Sequence, residues 1–255
     1  MRGLARLPEI GVATSRTAHA MAADFTQDTA VVFTALVEPG RGFARAVERN
    51  RALMAVVLST LLSLVATGLI LPRVDQEAVA ADKLQPEMTQ HEREKAVEAA
   101  VRLHRVKSWA IAGVGPVALA FLVTVGLWLG FKVAGARTGF KATFTVAAHA
   151  LVPQAIHSLL SAPAAIAHAP VTPEQLPKLL PSNLAAVLPA SLPPPVLAAA
   201  SALDIFTLWS LVLLGLGMAR CSGASRVRSF AVVVILFLAS VALLKIAPAG
   251  APSGP

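Results

Sequence analysis

From Ala52 to Pro72 the chain carries no charged side chain, and from Trp109 to Phe131 it carries none again. A helix needs about 20 predominantly apolar residues to cross the hydrocarbon core of a bilayer. Both runs reach that length, and a membrane span is the fold they allow. Three further runs follow. The third, about Ala142–Ala167, is longer and is interrupted by Pro153. The fourth, about Ser201–Ala219, holds one charge, Asp204. The fifth, Ser229–Ala247, has Lys245 near its end, where a long cationic side chain can snorkel to the interface. Composition agrees: hydrophobic types make up 56% of the chain and charged types 14%, against about 25% charged in soluble domains. That balance excludes a soluble globular enzyme, a disordered chain and a secreted disulfide scaffold. The expected fold class is all-α, a polytopic membrane helix bundle with five transmembrane helices. It should occupy residues 31–247, between a flexible N-terminal tail, 1–30, and a short C-terminal tail, 248–255.

The ends and loops set the expected orientation. Met1–Asp24 has no long apolar run behind its basic start and does not read as a signal peptide. Thr29–Val37 is apolar but too short to span, and it ends at the breaker Glu38-Pro39-Gly40. The net charge of +8 reads as Lys and Arg at cytoplasmic span ends, not as a nucleic-acid surface. The short loop with Lys132, Arg137 and Lys141, and the one with Arg220, Arg226 and Arg228, should face the cytoplasm. The N-terminus is then cytoplasmic and the C-terminus is not. Arg73, Arg102, Arg105 and Lys107 crowd the ends of the first loop and oppose this count, though acidic residues match them there. The absence of Tyr and the richness in Ala and Pro point to a GC-rich bacterial genome, hence a multi-pass protein of the bacterial inner membrane.

Two loops have structure of their own. Thr89-Gln-His-Glu92 has the spacing of a capping box. Ala96, Ala99, Ala100, Leu103 and Val106 then recur at helical spacing, and Glu98 and Arg102 form an i,i+4 pair. The spacing predicts a helix that extends the second span or lies on the surface. The third loop, Pro163–Pro195, holds half of the 18 prolines and should be a broken, interfacial segment on the non-cytoplasmic face. Short helices are expected to start at Thr172-Pro173 and within Ser182–Leu188.

The candidate functional residues are intramembrane polar groups. His149 and His157 lie about 12 Å apart along one helix and about 80° apart around it, so they do not converge on a metal without a sharp break at Pro153. His157 shares a stripe with Thr143, Gln154, Ser158 and Ser161, which should face the bundle and hydrogen-bond to neighbouring helices. A proton or substrate path is the alternative use of that stripe. Asp204 has two readings: an ion or proton site, or a helix start, since Ser201-Ala-Leu-Asp204 has capping-box spacing. The second is favoured. Gly126 and Gly130 in the second span, and Gly215 and Ala219 in the fourth, have the small-x-x-x-small spacing of close helix packing. There is no H-E-x-x-H, Walker glycine loop, G-x-G-x-x-G or G-x-S-x-G, and the single Cys221 excludes a multi-cysteine zinc site. No catalytic residue, cofactor or metal is expected.

Five segments in order carry a family resemblance. They are Leu36-Val-Glu-Pro39-Gly-Arg-Gly-Phe43 before the first span, and Gly135-Ala-Arg-Thr-Gly139-Phe140-Lys141 between the second and third. The others are Ala147-Ala-His-Ala-Leu-Val-Pro153, Leu203-Asp204-Ile-Phe206-Thr-Leu-Trp209 running on to Gly215, and the basic turn Ser225-Arg226-Val-Arg228. Over roughly Val31 to Leu244 the chain resembles the Yip-domain membrane proteins, the Ypt/Rab-interacting family, in its bacterial form. The resemblance implies five spans, a cytoplasmic N-terminus and no catalysis. Eukaryotic members bind prenylated Rab GTPases and act in vesicle traffic and membrane shaping. The expected function is therefore a non-enzymatic scaffold or membrane-organising protein. The alternative is a small transporter or channel with a polar path through Gln154, His157 and Asp204. The expected partners are the lipid bilayer and a membrane protein or second copy of the chain, with no nucleic acid.

Overall fold

A computed structural model describes residues 25–49, 51–173, 175–189 and 191–246. Of the expected tails at 1–30 and 248–255, residues 1–24 and 248–255 lie outside the described residues, as does the side chain of Lys245, while residues 25–30 are helical and not a flexible tail. The N-terminal part is a helical hairpin, α1 (Phe25–Val37) and α2 (Pro39–Glu48). The first span is α3 (Ala52–Ile70), and a short helix α4 (Gln76–Ala80) follows it. The second span belongs to α5 (Gln90–Val133), and the third is α6 (Phe140–Ala150) with α7 (Val152–Ala167). After the proline-rich loop come α8 (Pro194–Ser201), the fourth span α9 (Ile205–Ser222) and the fifth, α10 (Arg226–Val241). Among the described residues, five helical segments are long and apolar enough to cross a membrane. Among the described residues there is no strand, only two isolated β-bridges.

The side-chain pattern of α3 shows how such a bundle meets lipid. Leu53, Val57, Leu61, Val65 and Leu69 recur every fourth residue along one side, and all are exposed. Ala52, Ala55, Ser59 and Ala66, on the other side, are buried. In water this would be an inverted helix. In a bilayer large apolar groups face the acyl chains and small ones let helices approach. The centre is α6, where every residue from Thr145 to Ala150 is buried. It packs against α3, α5 and α9.

Three local features place the spans. The Thr89 capping box forms as its spacing predicts, and one helix of 44 residues then runs without a break from the first loop through the second span. The third span breaks at Leu151, so Pro153 falls in the first turn of α7, where its missing N–H costs no helical bond. Pro163 stays inside α7 near its end, and the helix runs on to Ala167 despite the expected break. The proline-rich loop forms short 3₁₀ turns at Leu176–Lys178 and Leu184–Val187, the second capped by Asn183.

The two ends of the bundle are built differently. At one end, α2 docks against α6 and α9, with α1 folded against it at Gly42 and Phe43 wholly buried at 6.3 Å from the His149 ring. Beside them Gly135 and Gly223 take the left-handed conformation that closes α5 and α9. The Arg228 guanidinium donates to the Ala134 carbonyl and ties the two short turns together. At the opposite end the proline-rich loop is stitched down twice. Val171 pairs with the chain after the first span, through Val171 N to Arg73 O at 2.8 Å and Asp75 N to Val171 O at 2.9 Å. Ser182–Leu184 pairs with Leu203–Ile205, through Leu184 N to Leu203 O at 2.9 Å and Ile205 N to Ser182 O at 3.2 Å.

Candidate functional site

The second stitch decides what Asp204 does. The fourth span begins at Ile205, not Ser201, because Asp204 is held extended in a bridge with Asn183. Ser201 instead ends α8, and its hydroxyl donates to the Ala198 carbonyl. The expected capping box from Ser201 does not form. Asp204 is itself the N-cap: its Oδ1 accepts from the amides of Phe206 at 2.8 Å and Thr207 at 2.9 Å, and its Oδ2 accepts from the Thr207 hydroxyl. A carboxylate at this position satisfies amides that have no helical partner and meets the positive end of the helix dipole.

Gln154 reaches the same helix from the third span. Its Nε2 donates to Thr207 Oγ1 at 3.3 Å and to Ser210 Oγ at 3.4 Å. Thr207 thus links the amide of Gln154 to the carboxylate of Asp204. One turn on, His157 Nε2 shares a 3.4 Å hydrogen bond with the Ser182 hydroxyl, and its ring lies 5.0 Å from that of Phe206. The sequence-predicted residues Gln154, His157 and Asp204 are therefore brought together along the α7–α9 seam. Ser158 and Ser161 bond back to the carbonyls of Gln154 and His157 in their own helix. Thr143 leaves the stripe, because the Leu151 break puts it on α6, where it bonds to Gly139 and Thr138.

His149 and His157 do not converge. His149 is buried beneath the hairpin, with Nδ1 at 2.9 Å from the Thr145 carbonyl and Nε2 without a partner among the described residues. Among the described residues no group of His, Cys, Asp and Glu is placed to hold a metal ion.

Behind the α7–α9 seam lies a cavity of about 630 Å³ between α3, α5 and α7, roofed by Leu176 and Leu179 of the proline-rich loop. Gln154, His157 and Ser161 line it; Asp204 does not. Its other walls hold Ser59, Ser63 and Thr67 from α3 and His104 and Ser108 from α5. Sequence reasoning missed this cavity. The signal available was the every-fourth-residue spacing of Ser59, Ser63 and Thr67 on the side of α3 away from Leu61.

The glycines divide. A Cβ on Gly130 would stand 2.9 Å from Leu236 Cδ1, and one on Gly215 would stand 2.6 Å from the Phe230 ring, both on α10. Ala219 is half-buried on α9. Gly126, expected in the same packing seam as Gly130, is a correction: a Cβ there would meet nothing within 4 Å, so no helix closes on it. Two closer approaches lie outside these pairs. At Gly42 a Cβ would stand 2.2 Å from the Ala35 amide nitrogen, and at Gly217 it would stand 2.5 Å from Val146 Cγ1.

Residues 33–247 match the family model of the Yip1 domain, nearly the stretch over which the sequence resemblance runs. No curated protein and no solved structure matches the chain.

Proposed function

Since the chain belongs to the Yip1-domain family, and is a multi-pass membrane protein of five candidate spans, we propose that it is a non-enzymatic scaffold that organises the membrane around it. We place the hairpin end in the cytoplasm of a bacterial inner membrane and the C-terminus outside. A membrane-protein partner or a second copy is its counterpart, apart from the bilayer itself. The observation that carries this reading is the use made of the polar intramembrane residues. Asp204 spends both carboxylate oxygens on its own helix start, and Gln154 spends its amide on the neighbouring helix. Groups engaged in this way hold helices in register and have no unmet role that asks for an ion.

The transporter alternative needs Gln154, His157 and Asp204 along one path. Asp204 stands outside the cavity that the other two line, which counts against it. The test uses a deletion strain with a growth or membrane-stress phenotype. Asp204→Asn keeps the acceptor and loses the charge; His157→Gln keeps hydrogen bonding and loses the imidazole. Both variants should reach wild-type membrane yield and restore the phenotype. Normal yield with complete loss of complementation in both would replace the scaffold with a proton or ion path. Crosslinking within the membrane should capture a membrane protein or a second copy of the chain.

A further inference from the structure

The cavity between α3, α5 and α7 has a chemistry that selects its occupant. Among the described residues, no Asp, Glu, Lys or Arg lines it. A charged solute or ion would lose its hydration there and gain no counter-charge. Hydrogen-bonding groups are nevertheless arranged in rows. Ser59, Ser63 and Thr67 share one side of α3, and His104 and Ser108 share one side of α5. Gln154, His157 and Ser158 face them from α7. Between these rows the walls are aliphatic, with Val56, Ile111, Leu119 and Leu151 among them.

Two further observations point to a ligand that arrives through the bilayer. Ser59 is only 5% exposed and lines the cavity, and among the described residues its hydroxyl has no hydrogen-bond partner. A buried hydroxyl left unpaired is unfavourable, so the site is incomplete as it stands. α5 and α7 do not pack closely together, and Ile111 and Leu119 line the cavity while remaining 69% and 43% exposed. The α5 wall is thus continuous with the lipid-facing surface. An alkyl chain alone would fill the volume and leave Ser59 unpaired.

We propose that this cavity is a binding site for an uncharged membrane lipid with a hydroxyl or carbonyl head, of the diacylglycerol class, which enters sideways between α5 and α7. The aliphatic walls take its hydrocarbon, and the hydroxyl and imidazole rows take its polar group. The site shares Gln154 and His157 with the α7–α9 seam, but its test is read at Ser59 and Ser63, which take no part in that seam, so either reading can fail without the other.

The test places the full chain in nanodiscs with traces of one of two photo-crosslinking probes. One is a diacylglycerol and the other a phosphatidylglycerol with identical diazirine-bearing chains. The neutral probe should label peptides around Ser63 and Ser158 saturably, be displaced by unlabelled diacylglycerol, and outlabel the charged probe. Ser59→Ala should keep the fold and weaken labelling by up to about tenfold, the factor one buried hydrogen bond supplies. Ser63→Phe should fill the cavity and abolish labelling, while Val114→Phe on the lipid face should leave it unchanged. Equal labelling by the two probes would overturn the proposal, as would labelling that survives Ser63→Phe or is unaltered in Ser59→Ala. Rapid reaction of Ser63→Cys, in a Cys221→Ser background, with a water-soluble thiol reagent would also overturn it and make the cavity a hydrated inlet.

Discussion

Gly40 and Gly42 lie in the first turns of α2 and differ in one respect. A Cβ at Gly40 would meet nothing within 4 Å, whereas at Gly42 it would stand 2.2 Å from the Ala35 nitrogen, 2.3 Å from its Cα and 2.6 Å from the Thr34 carbonyl carbon. Replacing a helical glycine by alanine gains up to about 1 kcal/mol, so Gly40→Ala should be neutral or slightly stabilising. At Gly42 the same gain is set against overlap with main-chain atoms, which cannot swing aside as a side-chain end can. Carbon atoms rest about 3.5–4.0 Å apart, so α1 and α2 must separate by more than about 1 Å. Overpacking costs about 1–3 kcal/mol, occasionally more, and separation also disturbs Phe43, the next residue, from its buried seat. The net loss for Gly42→Ala is roughly 1–2 kcal/mol, a factor of about 5–30 in the docked hairpin. Limited proteolysis of the full chain in mild detergent should cut the hairpin of Gly42→Ala faster than that of the wild type or Gly40→Ala. Thermal aggregation should begin earlier in the same variant. If Gly42→Ala resists protease and heat as well as Gly40→Ala does, the backbone crossing is not a real constraint and the reasoning fails.

Gln154→Leu should lower stability by about 0.6 kcal/mol, up to about 1.7, the range of intramembrane side-chain hydrogen bonds. Thr207→Val should cost a similar amount, and a double-mutant cycle in detergent unfolding that returned no coupling would refute the link. Asp204→Ala should cost about 0.5–2 kcal/mol as the loss of an N-cap, and Asp204→Asn markedly less, read from the same unfolding curves. Gly130→Leu should depress folded yield by driving into Leu236, while Gly126→Leu, with open space before it, should not; size-exclusion recovery distinguishes them. Cysteines at Gly139 and Ala224, in a Cys221→Ser background, should resist an impermeant thiol reagent in intact cells, and one at Asn183 should react.

The features legible in the sequence were those decided within a turn or two of chain. Thr89 and Glu92 cap α5 because both partners lie in one turn. The five spans follow from length and the absence of charge, and the Leu151 break from Pro153 two residues on. What escaped depended on distant segments. The role of Asp204 changed from last residue of a box to N-cap because Ser182–Leu184, brought back by the proline-rich loop, holds Asp204 extended. Gly126 and Gly130 have equal spacing rights to a packing seam, yet only the Gly130 face meets α10. The cavity arises because α5 and α7 leave a gap across α3, and no stretch of one helix announces it.

The continuity of α5 has a mechanical consequence. Its 44 residues make a rod of about 66 Å, roughly twice the thickness of a bilayer's hydrocarbon core. The segment ahead of Trp109 is therefore a lever arm whose fulcrum is the membrane surface. No loop separates the arm from the span, so torque on one is felt by the other. His104 and Ser108 sit where arm becomes span, at the wall of the cavity. Farther down, Pro116 removes one main-chain donor and offers the compliant joint at which such a load is first absorbed.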